Sequence, residues 1–242
     1  MNRKPRPAPR TSYFMQGFLP ALLYSTETEL DDLGAYLLSV SEFLDRQAAS
    51  FRERLERTSK EHGWNEEAQD HYFQMYGDEL DRWTDGFPST IRSTVLLAAC
   101  SRLEEGLTSL CKHLEQHEDV ATPTTWDSLR MDRGLKRSAK FLRRNFEIHP
   151  EDHSAWAETL DHFQVRHCYA HANGNVRLMK AEQATKLREA VGRLSGVTID
   201  DVEQIQLDTT YPEAVVRLMK QFWGAIEDAL ADNGPVGPTF WP

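Results

Sequence analysis

Residues 163–175 bring together three side chains that suit phosphate chemistry. Arg166 and His167 are adjacent, and His171 follows four positions after His167. Histidine exchanges a proton near neutral pH, whereas arginine keeps its positive charge and offers several donors to a phosphate. Cleaving RNA without a metal ion needs a group that moves a proton and a cation that stabilises the charge developing on phosphorus. Arg166 and His171 are therefore of the two residue types that this reaction needs.

A helix is predicted to carry these side chains. The sequence from Pro150 onward is typical of a helix start, and apolar residues then recur at helical spacing: Trp156, Leu160 and Phe163. At about 100° per residue, His167 falls within this apolar stripe. Arg166 and His171 flank the stripe roughly 140° apart.

The end of this helix is predicted at an Asn-Gly pair. Asn173 and Gly174 suit a left-handed C-terminal cap. His171 would then lie in the last turn, where the exposed carbonyl groups stabilise a protonated imidazole.

The motif Arg166-His167-x-x-x-His171, followed by Asn-Gly, resembles the R-x(4-6)-H signature of the HEPN superfamily. A preceding long helix with the acidic pair Glu104 and Glu105, and a basic helix before the motif, also resemble these families. The resemblance covers roughly residues 88 to 230. It implies a helical bundle and a metal-independent ribonuclease, such as a toxin or anti-phage defence effector, that works as a homodimer.

The resemblance also implies roles for individual residues. His171 would be the general acid or base and Arg166 would stabilise the phosphate, while His167 and Asn173 would shape the site. One of the two glutamates would approach the Arg-His motif. The residues themselves leave another possibility open, since Glu104 and Glu105 could equally face solvent.

Two alternatives to ribonuclease chemistry follow from the same residues. The spacing of His167 and His171 suits a two-histidine metal site, but Cys168 stands where a zinc protease has its glutamate and no third ligand is evident. We therefore predict no metal and no cofactor. In the other alternative, Arg166 pairs with a glutamate and His167 is a core residue of a non-catalytic RNA- or protein-binding module.

A concentrated basic face precedes the motif helix. Between residues 127 and 146 the chain carries seven basic residues against two acids, Asp127 and Asp132. Five of them fall within an arc of about 120° on a helical wheel: Lys136, Arg137, Lys140, Arg143 and Arg144. We expect this face to bind the RNA backbone, with a solvated face or a protein-facing surface as the alternative.

Composition limits the class of protein. A formal charge of −10 argues against a general nucleic-acid coat protein, because phosphate binding depends on Lys and Arg. The three cysteines lie in apolar patterns, which predicts reduced core residues in a cytoplasmic protein. No apolar run approaches the roughly 18 residues of a membrane span, so we expect no membrane association. The expected partners are RNA, a second copy of the chain, and an inhibitor or partner protein.

The remaining patterns predict an all-α bundle with a long N-terminal helix and at most one small β-hairpin, near residues 197–207. Residues 1–25 form a basic segment that is disordered or loosely docked. Residues 26–87 form a helical segment that packs on the bundle, opening with a capping box at Thr26. Residues 88–232 form the HEPN-like domain, and 233–242 a tail.

Overall fold

A computed structural model describes residues 13–116 and 122–233. These residues form eight α-helices and one two-stranded antiparallel sheet. The helices are α1 (Tyr13–Glu61), α2 (Glu66–Met75), α3 (Gly77–Asp81), α4 (Phe87–Gln116), α5 (Gly134–Phe146), α6 (Ala155–Ala172), α7 (Ala181–Val191) and α8 (Tyr211–Asn233). The strands are β1 (Val197–Ile199) and β2 (Ile205–Leu207). The predicted all-α fold with a small hairpin is therefore confirmed.

Helix α4 lies at the centre of the bundle, with α1 and α8 packed against it. The three helices approach closely at Gly106. A Cβ atom at this position would lie 2.8 Å from both side-chain branches of Thr26 and 3.2 Å from the indole of Trp223. Trp223 also donates its indole N–H to the Leu23 carbonyl, at 3.3 Å. A glycine in α4 is thus what allows α1 and α8 to meet there.

The long N-terminal helix begins earlier than the sequence predicts. It starts at Tyr13, and the expected capping residue Thr26 lies well inside it, buried and donating to the Leu22 carbonyl. Leu19 and Leu23 are buried in the core and continue the apolar seam upstream of Thr26, which explains the error. The expected boundary at residue 25 thus falls within α1, and residues 1–12 lie outside the described part of the chain.

The aromatic residues between α1 and α4 are not core residues. None of the side chains of α2, of α3 or of the π-helical turn Arg82–Gly86 is buried. Instead, half-buried rings contact one another at steep angles, with the centroids of Trp64 and Tyr72 4.8 Å apart and those of Tyr72 and Tyr76 5.0 Å apart. Aromatic content alone therefore does not make this segment part of the core, because contacts between rings remove part of their surface from water without a surrounding core.

The three cysteines are confirmed as buried and unpaired, at positions 100, 111 and 168. None of the described helices is long and apolar enough to cross a membrane. The tail predicted from residue 233 onward lies, apart from Asn233 itself, outside the described residues.

Candidate functional site

The end of α6 has the predicted left-handed cap. Asn173 has φ 50° and ψ 39°, and Gly174 follows with φ 77°. The Asn173 N–H donates to the Tyr169 carbonyl at 3.2 Å, and the Gly174 N–H donates to the Cys168 carbonyl at 3.3 Å. These two bonds satisfy carbonyls that the helix end leaves open. His171 accordingly lies in the last turn of α6.

The hairpin fixes this helix end in place. Gly174 accepts a hydrogen bond from the Ile205 N–H at 2.9 Å, and the Gln204 amide donates to the Asn173 carbonyl at 2.8 Å. Tyr169 completes the contact by donating its hydroxyl to the Ile205 carbonyl at 3.0 Å. The small sheet therefore positions the Arg-His motif, although none of its own residues was predicted to belong to the site.

The buried face of α6 differs from the predicted one. Trp156, Leu160 and Phe163 are only partly buried, and the helix turns two polar residues, Asp161 and His162, into the protein. The difference arises because α6 packs on α4, α7 and α8 at once, so that more than one stripe of the helix is covered.

The buried polar pair of α6 is satisfied by distant partners. Arg193 donates two hydrogen bonds to Asp161, at 2.8 and 2.6 Å. His162 shares a hydrogen bond of 2.8 Å with the hydroxyl of Tyr211. Burial lowers the pKa of His162 to about 4, so this imidazole is neutral at physiological pH. It is a structural histidine.

The two motif histidines lie side by side. The ring centroids of His167 and His171 are 4.5 Å apart. His167 is half-buried, whereas His171 and Asn173 are exposed. Partial burial and the neighbouring His171 lower the pKa of His167, and a hydrogen bond with Gln183 of α7 opposes that shift. The pair thus combines one histidine that favours the neutral form with one open to solvent.

Arg166 faces α4 and lies beside Glu104. Its guanidinium Nη2 is 3.8 Å from Glu104 Oε2, and both side chains are about a third exposed or less. Glu105 points elsewhere: it is 69% exposed and lies 3.4 Å from Arg102. Of the two glutamates proposed for the site, the structure brings only Glu104 to the motif.

Glu104 also lies against the first residue of the basic helix α5. A Cβ atom at Gly134, the first residue of α5, would lie 3.0 Å from Glu104 Oε1. One carboxylate is therefore adjacent to both Arg166 on α6 and the amino terminus of α5.

Three of the five basic side chains proposed to bind RNA have partners within the protein. Arg137 stacks on the ring of Trp126 at 4.0 Å and donates to the Trp126 carbonyl at 2.6 Å. Lys140 lies 2.7 Å from Asp132, and Arg143 is bound to Glu151.

Lys136 and Arg144 form no such pair within the described residues, and both are exposed. The sequence predicted the basic helix. It could not predict which of the basic side chains are paired, because it does not show which acidic side chains lie beside them. Of the five basic side chains, these two are therefore the ones without an intramolecular ion pair among the described residues.

For two residues, no sequence pattern indicated that they lie beside the motif. Gln183 reaches His167 from α7, sixteen positions along the chain, through the 3₁₀ turn Val176–Leu178. Gly134 brings α5 against Glu104 through its positive φ of 55°. Within the described ranges, no group of three or more His, Cys, Asp or Glu side chains is placed to hold a metal ion.

Comparisons of the chain with protein-family models, with curated proteins and with solved structures find no match.

Proposed function

We propose that this protein is a metal-independent endoribonuclease of the HEPN type, a toxin or anti-phage defence effector that acts on RNA in the cytoplasm. The observation that supports this most is the arrangement at the end of α6. Arg166 is paired with Glu104 at 3.8 Å, and the adjacent histidine rings lie 4.5 Å apart beside an exposed helix end. Proton-transfer groups and a fixed cation thus lie within the last two turns of one helix.

In the proposed reaction, the 2'-oxygen of the RNA attacks the neighbouring phosphorus, and the bond from phosphorus to the 5'-oxygen breaks. The proton of the 2'-hydroxyl passes to a base, and the leaving 5'-oxygen receives a proton from an acid. His171 serves as acid or base because it is exposed, and such a group contributes about 10²- to 10⁴-fold. Arg166 stabilises the charge on the phosphate oxygens, and His167 and Asn173 shape the site.

A single copy of α6 separates the two principal groups. Arg166 and His171 are five positions apart, which turns them roughly 140° from each other around the helix. Two copies of α6 facing one another across a twofold axis would surround one phosphate with both kinds of group. We therefore propose that the active form is a homodimer with α6 beside the axis.

The RNA backbone would approach along α5. This helix begins against Glu104, next to Arg166, and its exposed residues Lys136 and Arg144 are without intramolecular ion pairs among the described residues. The paired residues Arg137, Lys140 and Arg143 hold α5 against its neighbours and contribute to the positive field.

The proposal is tested by incubating the purified protein with mixed RNA and EDTA, beside Arg166→Ala and His171→Ala. Cleavage that survives chelation and is lost in both variants supports it, because each variant removes a different part of the transition-state stabilisation. His71→Ala, a change at an exposed histidine of α2, is the matched control and should leave cleavage unchanged. Cleavage that depends on added metal would contradict it.

A non-catalytic module is the second candidate, and the ion pairs favour it. Arg166 is engaged by Glu104, and Arg137, Lys140 and Arg143 are engaged by the chain itself. In this case the surface binds RNA, a partner protein or an inhibitor without cleaving anything. Arg166→Ala would then lower the stability of the protein, because it leaves Glu104 without its partner. The wild-type protein would show no RNA cleavage.

A further inference from the structure

The charges of α1 are divided along its length. Residues 13–45 carry six acids and no Lys or Arg, whereas residues 46–60 carry five basic residues and two acids. The helix dipole does not account for this division. It acts within the first and last turns, yet the first turn of α1 holds no acid and Lys60 is the one base of its last turn.

An exposed apolar stripe lies at the centre of this divided helix. Tyr36 and Phe43 are 46% and 48% exposed, and seven positions place them on the same side of α1, about 20° apart. The buried seam of α1 faces elsewhere, since Leu23, Leu30 and Leu37 belong to the core where α1 packs on α4 and α8. The stripe is therefore separate from the surface that holds α1 in its own bundle.

Charged residues continue this stripe in both directions. On a helical wheel, Asp32 and Arg54 fall within about 40° of Tyr36 and Phe43. Asp32 lies eleven positions before Phe43, and Arg54 lies eleven positions after it. Asp32 has no ion-pair partner within the described residues, and the Arg54 guanidinium lies over the Phe51 ring at 4.7 Å. The stripe is thus acidic at one end, aromatic in the middle and basic at the other.

We propose that two copies of this protein associate antiparallel along α1, with a twofold axis at Phe43. An isologous contact of this kind sets residue i against residue 86 − i. Phe43 then meets its own copy, Asp32 meets Arg54, and Tyr36 meets the small residue Ser50. By the same rule Glu29 meets Arg57 of the other copy. Within its own chain, Glu29 lies 3.4 Å from Arg102.

This contact is independent of the proposed ribonuclease dimer. Helix α1 packs on α4 and α8, whereas α6 packs on α4, α7 and α8 and carries the Arg-His motif. The contact is also small. From residue 29 to residue 57 the stripe is about 42 Å long and about 10 Å wide, which is less than the roughly 800 Å² that each partner buries in a typical stable complex. The association is therefore weak, and its test must capture a short-lived dimer.

Disulfide trapping tests the axis directly. In Phe43→Cys the two introduced thiols face each other, and packed helices bring Cα atoms on such an axis within the range of a disulfide. Mild oxidation should convert this variant into a covalent dimer. The native cysteines do not interfere, because all three are buried. Leu38→Cys, on the other side of α1 and 60% exposed, is the matched control and should stay monomeric. Equal cross-linking of the two variants would overturn the proposal.

Charge exchange gives a second, non-covalent readout. Asp32→Arg and Arg54→Asp should each raise the dissociation constant about tenfold, measured by sedimentation, because the twofold axis doubles every pair. The double variant should recover the wild-type value. If the single variants associate as wild type does, or if the double variant is weaker than both, the proposed register is wrong. Neither result bears on RNA cleavage.

Discussion

The Glu104 carboxylate lies 3.8 Å from the Arg166 guanidinium and links the central helix α4 to the motif helix α6. The same carboxylate lies against Gly134 at the start of α5. Three consecutive helices thus meet at one acidic side chain. This contact orients Arg166, which is the cation that stabilises the phosphate in the proposed reaction.

Removing the charge of Glu104 should impair catalysis more than it impairs folding. In Glu104→Gln, Arg166 loses the partner that orients it, and we expect kcat to fall by up to about 10²-fold, with a smaller change in KM. Glu105→Gln is the control, because Glu105 is exposed and pairs with Arg102. Equal effects of the two substitutions on kcat would show that Glu104 has no special role in positioning Arg166.

The two unpaired basic residues of α5 should contribute most to RNA affinity. Lys136→Gln combined with Arg144→Gln removes two phosphate contacts, which for single-stranded RNA should reduce the slope of log K against log salt by about 1.4. Fluorescence anisotropy over a salt series measures this slope. Arg82→Gln with Arg217→Gln removes the same charge from exposed positions outside α5. An identical slope in both double variants would assign the effect to net charge alone.

Gly106 should tolerate no side chain. Gly106→Ala places a Cβ atom 2.8 Å from Thr26, and we expect the free energy of unfolding to fall by about 1–3 kcal/mol. Gly224→Ala, in α8, meets no atom within 4 Å and should raise the same quantity by about 0.5–1 kcal/mol. Urea denaturation of both variants measures the difference. A stabilising Gly106→Ala would contradict the close approach of α1, α4 and α8.

Glu227 of α8 should make stability depend on pH. Burial raises its pKa from 4.5 to about 7, and the charges of Glu27 and Asp228 add to the shift. Between pH 4.5 and 7 the folded protein holds a proton that the unfolded chain has lost. This contribution to stability is therefore complete below pH 4.5 and is lost as the pH rises through 7.

Comparison with Glu227→Gln isolates this effect, because other groups titrate equally in both proteins. The variant should match the wild type at pH 4 and be more stable than it at pH 8, as measured by thermal unfolding. For Gln221→Ala, at an exposed position of α8 that carries no titrating group, the difference from wild type should not change with pH. A pH-independent difference for Glu227→Gln as well would show that Glu227 titrates normally.

Local signals in the sequence predicted much of the fold. The hairpin and the cap at Asn173 followed from short patterns, because turn residues and left-handed conformations are determined by neighbours along the chain. The start of α1 did not, since Thr26 is a good capping residue whose side chain is instead buried near Gly106. Its position inside a helix depends on tertiary packing.

The candidate site was predictable in its residue types but not in its contacts. Helical spacing could not decide which of Glu104 and Glu105 faces Arg166, because neighbouring residues differ by only 100° and the buried side of α4 is broad. Nor could it show that Trp126 covers Arg137, a contact made across eleven positions and a loop. Such partners are determined by the packing of separate elements.

Cleavage of an RNA strand through its own 2'-hydroxyl is the central claim, and one substrate tests it most directly. A short RNA and the same strand with a single 2'-deoxy nucleotide at the mapped cleavage position are incubated with excess protein in EDTA. We predict that the all-RNA strand is cut to a cyclic phosphate and a 5'-hydroxyl, and that the substituted strand resists cleavage at that position. Equal cutting of both strands, or cutting of neither, would contradict the account.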